Sequence, residues 1–104
     1  MKKLISLSLL FYLNLLASSS VDCIILEDEN SIVCKYTHDR VPYDHNISVR
    51  WIEPNNIITR KRTMKIPAYH GSIYDYRYIK GRTKGTWTFE AIDDNVSYKT
   101  NFTL

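Results

Sequence analysis

From residue 21 to the end of the chain, apolar and polar residues alternate and no segment keeps a helical period. β-branched and aromatic residues are frequent in these alternating runs, which is the signature of half-buried strands. Pro42, Pro54, Pro67 and several Asp/Asn clusters interrupt the runs at regular intervals. The pattern predicts seven strands, at about 22–27, 31–37, 46–53, 57–65, 71–79, 85–92 and 96–103.

Two hairpins follow from register. With Asp28 and Glu29 as loop residues, Ile25 faces Ile32, Ile24 faces Val33 and Cys23 faces Cys34. Directly opposed strand positions bring Cβ atoms within disulfide range, so this register predicts a Cys23–Cys34 bond. With Asp94 and Asn95 as the final turn, Trp87 faces Phe102, Phe89 faces Thr100 and Ala91 faces Tyr98. One face then carries Trp87, Phe89, Ala91, Val96, Tyr98 and Phe102, and the other Thr86, Thr88, Glu90, Ser97, Lys99 and Asn101. That separation suits a sheet with one buried face.

Ile47, Val49 and Trp51 alternate with Ser48, Arg50 and Ile52 in the third strand, before a Pro54-Asn55-Asn56 turn. Seven antiparallel strands with one apolar face each need a second sheet to cover them. The expected fold is therefore all-β, a two-sheet antiparallel sandwich with Trp51, Trp87, Phe89 and Phe102 in its core.

Val49-Arg50-Trp51, the turn after it, and the block Gly85-Thr86-Trp87-Thr88-Phe89-Glu90-Ala91-Ile92-Asp93-Asp94-Asn95 leading into Phe102-Thr103-Leu104 resemble immunoglobulin-like domains of secreted bacterial proteins. The resemblance covers most of residues 46–104 and implies an immunoglobulin-like sandwich. It also implies a binding, spacing or adhesion role rather than one particular function. In one respect the chain departs from that pattern. The familiar immunoglobulin bond joins two sheets, whereas Cys23 and Cys34 staple a single hairpin.

Ahead of the strands, Lys2 and Lys3 precede an apolar run from Leu4 to Leu16 and a small-residue exit, Ala17-Ser18-Ser19-Ser20. This is the three-part pattern of a secretory signal peptide, and the run is too short to span a bilayer. Residues 1–20 are read as a signal peptide and 21–104 as one small domain, periplasmic or extracellular. An exported chain with two cysteines favours a disulfide, and Asp22 before Cys23 disfavours a lipid anchor.

Charge refines the picture by its distribution. The whole chain carries +3, but the domain without its leader carries only +1, which does not support nucleic-acid binding. Residues 60–84 hold Arg60, Lys61, Arg62, Lys65, Arg77, Lys80, Arg82 and Lys84 against the single acid Asp75. Acidic segments flank this stretch, so it forms either a positive patch or a compensated face. Tyr74, Tyr76 and Tyr78 share one face of the fifth strand and Ile73, Asp75, Arg77 and Ile79 the other. The tyrosines read either as core edge or as an aromatic recognition surface beside the cationic loop 80–85.

Catalytic chemistry is weakly represented. Ser48, Ser72 and Ser97 lack a glycine-flanked elbow, and Asp93-Asp94 reads as a turn. Cys34, His38 and His45 have a spacing that suggests a metal site, but the disulfide removes Cys34, leaving His38 and His45 as a weak alternative pair. No cofactor is expected. Three Asn-x-Ser/Thr sites occur at Asn46, Asn95 and Asn101, glycan acceptors in a eukaryotic or viral secreted protein and incidental in a bacterial one, which the Met-Lys-Lys start resembles. The expected function is an exported, non-catalytic interaction module of the cell envelope. It would contact a protein or an acidic polymer through Arg60, Arg62, Tyr74, Tyr76, Arg77, Tyr78, Lys80, Arg82 and Lys84. A periplasmic metal-binding or redox accessory protein and a purely structural envelope domain are the alternatives.

Overall fold

Seven antiparallel strands form where the alternation places them in a computed structural model that describes residues 19–104. The leader assigned to residues 1–20 lies almost wholly outside the described residues. The strands are β1 (Ser20–Leu26), β2 (Ser31–Thr37), β3 (His45–Ile52), β4 (Ile58–Ile66), β5 (Ser72–Tyr78), β6 (Thr86–Asp93) and β7 (Val96–Thr103). Among the described residues no helix is long and apolar enough to cross a membrane.

The strands divide into a three-stranded sheet, β1-β2-β5, and a four-stranded sheet, β4-β3-β6-β7, packed face to face. The constant-type immunoglobulin sandwich keeps its fourth strand beside the fifth. Here β4 pairs with β3 instead, so the third, fourth, sixth and seventh strands share a sheet.

Both expected hairpin registers are present. Cys23 opposes Cys34 and the two are disulfide-bonded, with Cα atoms 4.1 Å apart. The connection differs from a two-residue turn. Glu27–Glu29 form one 3₁₀ turn closed by Asn30 at φ 53°, and this longer loop is centred on the same point, so the pairing is unchanged. In the last hairpin Trp87 opposes Phe102, and Asp94 and Asn95 both adopt positive φ (51° and 65°), as a two-residue hairpin turn of the right twist requires.

The inner faces build one core from Ile32, Cys34, Tyr36, Ile47, Val49, Trp51, Ile66, Trp87, Phe89, Ala91 and Phe102. Trp51 packs edge-on against Phe89 and Phe102, and Trp87 stacks on Phe102 at 6.0 Å. Gly85 closes the bottom of this core by exchanging backbone hydrogen bonds with Leu104. Its φ of +128° and its approach to Pro54, 2.8 Å from where a Cβ would sit, leave room only for glycine.

Candidate functional site

The inward-facing residues of β5 decide where the basic segment goes. Asp75 opposes Cys34 in the sheet and points between the layers, with only 3% of its surface exposed. A buried carboxylate needs partners, and it has four. Trp51 Nε1 donates to it at 2.8 Å, Arg62 Nη1 at 2.7 Å, Arg60 Nη1 at 3.3 Å and the Tyr76 backbone N–H at 3.0 Å. Arg60 and Arg62 reach it because register places them opposite Trp51 and Val49, on the inner parity of β4.

Arg77 enters the same seam. Its guanidinium lies 5.5 Å from the Trp51 ring and 5.9 Å from the Trp87 ring, and Nη1 donates to Thr59 Oγ1 at 2.9 Å. Burial first, then the neighbouring Arg82 and Arg60 charges, push the Arg77 guanidinium below its ordinary range. Arg60 and Arg62 thus pair with one buried acid across the sandwich seam, and Arg77 lies against the two indole rings beside them.

With Asp75 and Arg77 inside, the tyrosines must be outside. Tyr74, Tyr76 and Tyr78 are each 57% exposed, which overturns the core-edge reading of the stripe. Across the outer face of the three-stranded sheet, Tyr74 lies beside Lys35 and Asp22, Tyr76 beside Val33 and Ile24, and Tyr78 beside Ser31 and Leu26. Ile24 is itself 56% exposed. Lys35 Nζ sits 5.9 Å from the Tyr74 ring, and the Tyr76 and Tyr78 rings meet edge-on at 6.1 Å. A hollow of about 340 Å³ between β1 and β5 is lined by Asp22, Cys23, Ile24, Val33, Lys35 and Tyr74.

The free edge of β5 is already occupied. Arg60 donates to the Tyr76 carbonyl at 3.1 Å and Arg82 Nε to the Tyr78 carbonyl at 3.0 Å. Those contacts obstruct pairing with a further strand and leave the face, not the edge, open. Lys80 and Arg82 sit in the loop that leaves the Tyr78 end of this face, where the Lys80 N–H is held by Asn30 Oδ1 at 2.8 Å. Lys84 lies apart, lining a separate hollow with Glu27, Asn30 and Leu104.

At the opposite end of the sandwich the chain brings His38 and His45 together. Their ring centroids are 4.5 Å apart and the planes nearly perpendicular. His45 Nε2 lies 3.4 Å from Asp93 Oδ2, which also accepts the Tyr36 hydroxyl at 2.7 Å. Burial first, and then the Asp93 carboxylate, raise the Tyr36 hydroxyl far above the ordinary phenol value, so it stays a donor. Among the described residues His38 Nε2 and His45 Nδ1 are buried with no partner, a state that costs about 1–3 kcal/mol for each group. These side chains border an open cavity of about 590 Å³ with Asp39, Tyr43, Asn46 and Tyr98. Cys34 is tied to Cys23 and takes no part, and His70 is exposed.

Glu90 is the remaining buried carboxylate, on the outer side of the four-stranded sheet. Arg50 holds Oε1 through Nε at 2.6 Å and through Nη2, and the Ser97 hydroxyl donates to Oε2. Burial raises its pKa, but the hydrogen bonds from Ser97 and Arg50 together with the Arg50 charge outweigh that and hold it below the usual carboxylate range. The Asn-x-Ser/Thr asparagines, Asn46, Asn95 and Asn101, are all exposed on this sheet or its last turn, and none lies on the tyrosine face. No known protein family and no curated protein matches the chain.

The roles of Asp75, Asp93 and Glu90 were missed in the sequence. The one available signal was an acid placed at inward parity between hydrophobic or aromatic neighbours, as Asp75 is. Asp93 shares that parity with Trp87, Phe89 and Ala91 but reads as part of the Asp93-Asp94 turn, and Glu90 has outward parity.

Proposed function

We propose that this protein is an exported, non-catalytic binding module that docks an acidic protein surface on the outer face of its three-stranded sheet. The observation that carries the reading is the row Tyr74, Tyr76 and Tyr78, each more than half exposed and continuous with Ile24 and Val33. Tyrosine supplies large contact area with little rotamer freedom to lose, and interface hot spots are enriched in it. Lys35 within the row and Lys80 and Arg82 at its end supply the cations that an acidic partner would meet, interspersed with Asp22 and the exposed Glu27–Glu29 turn, which set its orientation. The blocked β5 edge supports docking on the face over strand addition. The apolar leader and the Cys23–Cys34 bond support export. Asp75 and Glu90 are fully engaged by structural partners, which supports a role without catalysis.

The test compares three double variants for capture of envelope proteins at low salt. Tyr74→Ser with Tyr76→Ser should abolish the specific capture, and Lys35→Glu with Lys80→Glu should weaken it. Lys61→Glu with Lys65→Glu, on the opposite sheet, should leave it intact. Equal capture by all three variants overturns the reading. So does retention only by anionic polysaccharide, or dimerisation of the wild type through this face in sedimentation.

A further inference from the structure

We propose that the end of the sandwich formed by His38, His45 and Asp93 binds one late first-row divalent metal ion through the two imidazoles. The observations are independent of the tyrosine face. His38 is 9% exposed, lines the 590 Å³ cavity, and leaves Nε2 without a hydrogen-bond partner among the described residues. His45 leaves Nδ1 in the same condition, with its ring centroid 4.5 Å from that of His38. A buried polar nitrogen without a partner is rare, and two on touching rings at the mouth of one cavity are rarer still.

The position of Asp93 supplies the direction. Its Oδ2 lies 3.4 Å from His45 Nε2, on the other ring nitrogen from the partnerless Nδ1. Tyr36 donates to the same carboxylate oxygen at 2.7 Å and fixes it in place. A carboxylate behind one imidazole, itself oriented by a further donor, is the outer shell that metal-binding histidines commonly carry. Among the described residues no group of three or more His, Cys, Asp or Glu side chains is arranged to hold a metal ion. The two imidazoles are thus the protein ligands proposed from the described residues, with water from the adjoining cavity completing the coordination. Nitrogen donors with water suit copper, nickel or zinc rather than calcium or magnesium, with copper bound most tightly. The cost of leaving the two ring nitrogens unsatisfied is relieved when the ion is bound.

The experiment is titration of the purified protein with Cu²⁺ alone and with Zn²⁺ alone, followed by calorimetry, with electron paramagnetic resonance for the copper form. One ion per chain should bind, and the copper spectrum should show coupling to two imidazole nitrogens. His38→Gln or His45→Gln should weaken affinity at least tenfold, and Asp93→Asn roughly tenfold. His70→Gln should change nothing. Because a histidine variant can lose its fold, the unmodified protein is also mapped by nuclear magnetic resonance. Substoichiometric Cu²⁺ should broaden Tyr43, Asn46 and Asp94 and leave the His70 region sharp. The proposal is overturned if no binding occurs, if broadening centres on His70 or the chain terminus, or if folded His38→Gln binds as the wild type does.

Discussion

Replacing Asp75 with alanine tests the packing logic of the whole sandwich. The carboxylate accepts from Trp51, Arg60, Arg62 and the Tyr76 N–H, and its removal leaves the Trp51 indole N–H buried with no acceptor. An unpaired buried donor costs about 1–3 kcal/mol, and a hydrogen bond to a charged group contributes about 1.5–3 kcal/mol. The Arg60 and Arg62 side chains are 35% and 48% exposed, so they return to water and recover part of the loss. The expected cost is therefore about 3 kcal/mol, below the sum of four charged bonds. For a domain of this size that lowers Tm by roughly 12–24 °C. Asp75→Asn keeps an acceptor for Trp51 and should lose less, about 2 kcal/mol. Urea unfolding followed by tryptophan fluorescence measures both, and a double-mutant cycle with Arg62→Ala should give a coupling of about 1 kcal/mol. A loss under about 1 kcal/mol for Asp75→Ala, or no coupling to Arg62, refutes the idea that this acid holds the two sheets together.

Trp87→Ala should cost roughly 3–5 kcal/mol, because the ring is 1% exposed and stacked on Phe102. Calorimetry checks it, and a Tm change of only a few degrees contradicts the packing described. The depressed pKa of Glu90 gives a pH dependence of defined sign. Its contribution is present above the unfolded-state value of about 4.3 and is lost as pH falls through the lower folded-state value, because the unfolded chain takes up the proton first. Urea midpoints from pH 7 down to pH 3 should therefore fall less steeply in Glu90→Gln than in the wild type, and equal slopes refute the assignment.

The strands and both hairpin registers were legible because each depends on neighbours in sequence. Alternation places Trp87 and Phe102 on one face whatever the rest of the chain does, and the pairing of Cys23 with Cys34 needs only a turn between them. The first connection is two residues longer than the polarity pattern implies, yet it is centred on the same point, and register depends only on the centre. The fifth strand is where local pattern misled. By hydropathy its tyrosines compete with Ile73 and Ile79 for the core, and Asp75 and Arg77 count as exposed. What reverses that is Trp51, Arg60 and Arg62 on the facing sheet, which satisfy the buried acid, and the two indole rings, which seat Arg77. No local rule contains those partners. The histidine pair was visible as a spacing but not as a site. Its carboxylate, Asp93, lies 48 residues beyond His45 and arrives through the strand order of the opposite end of the chain.

The most direct measurement of the docking claim is site-specific photo-cross-linking in the protein's native setting. A benzoylphenylalanine placed at Tyr76 sits at the centre of the aromatic row, and the same group at Thr63 or Asn101 sits on the opposite sheet. One adduct of defined mass is expected from position 76, reduced by the Lys35→Glu change, and none of that mass from position 63 or 101. An adduct formed equally from all three positions, or from the four-stranded sheet alone, contradicts the docking claim.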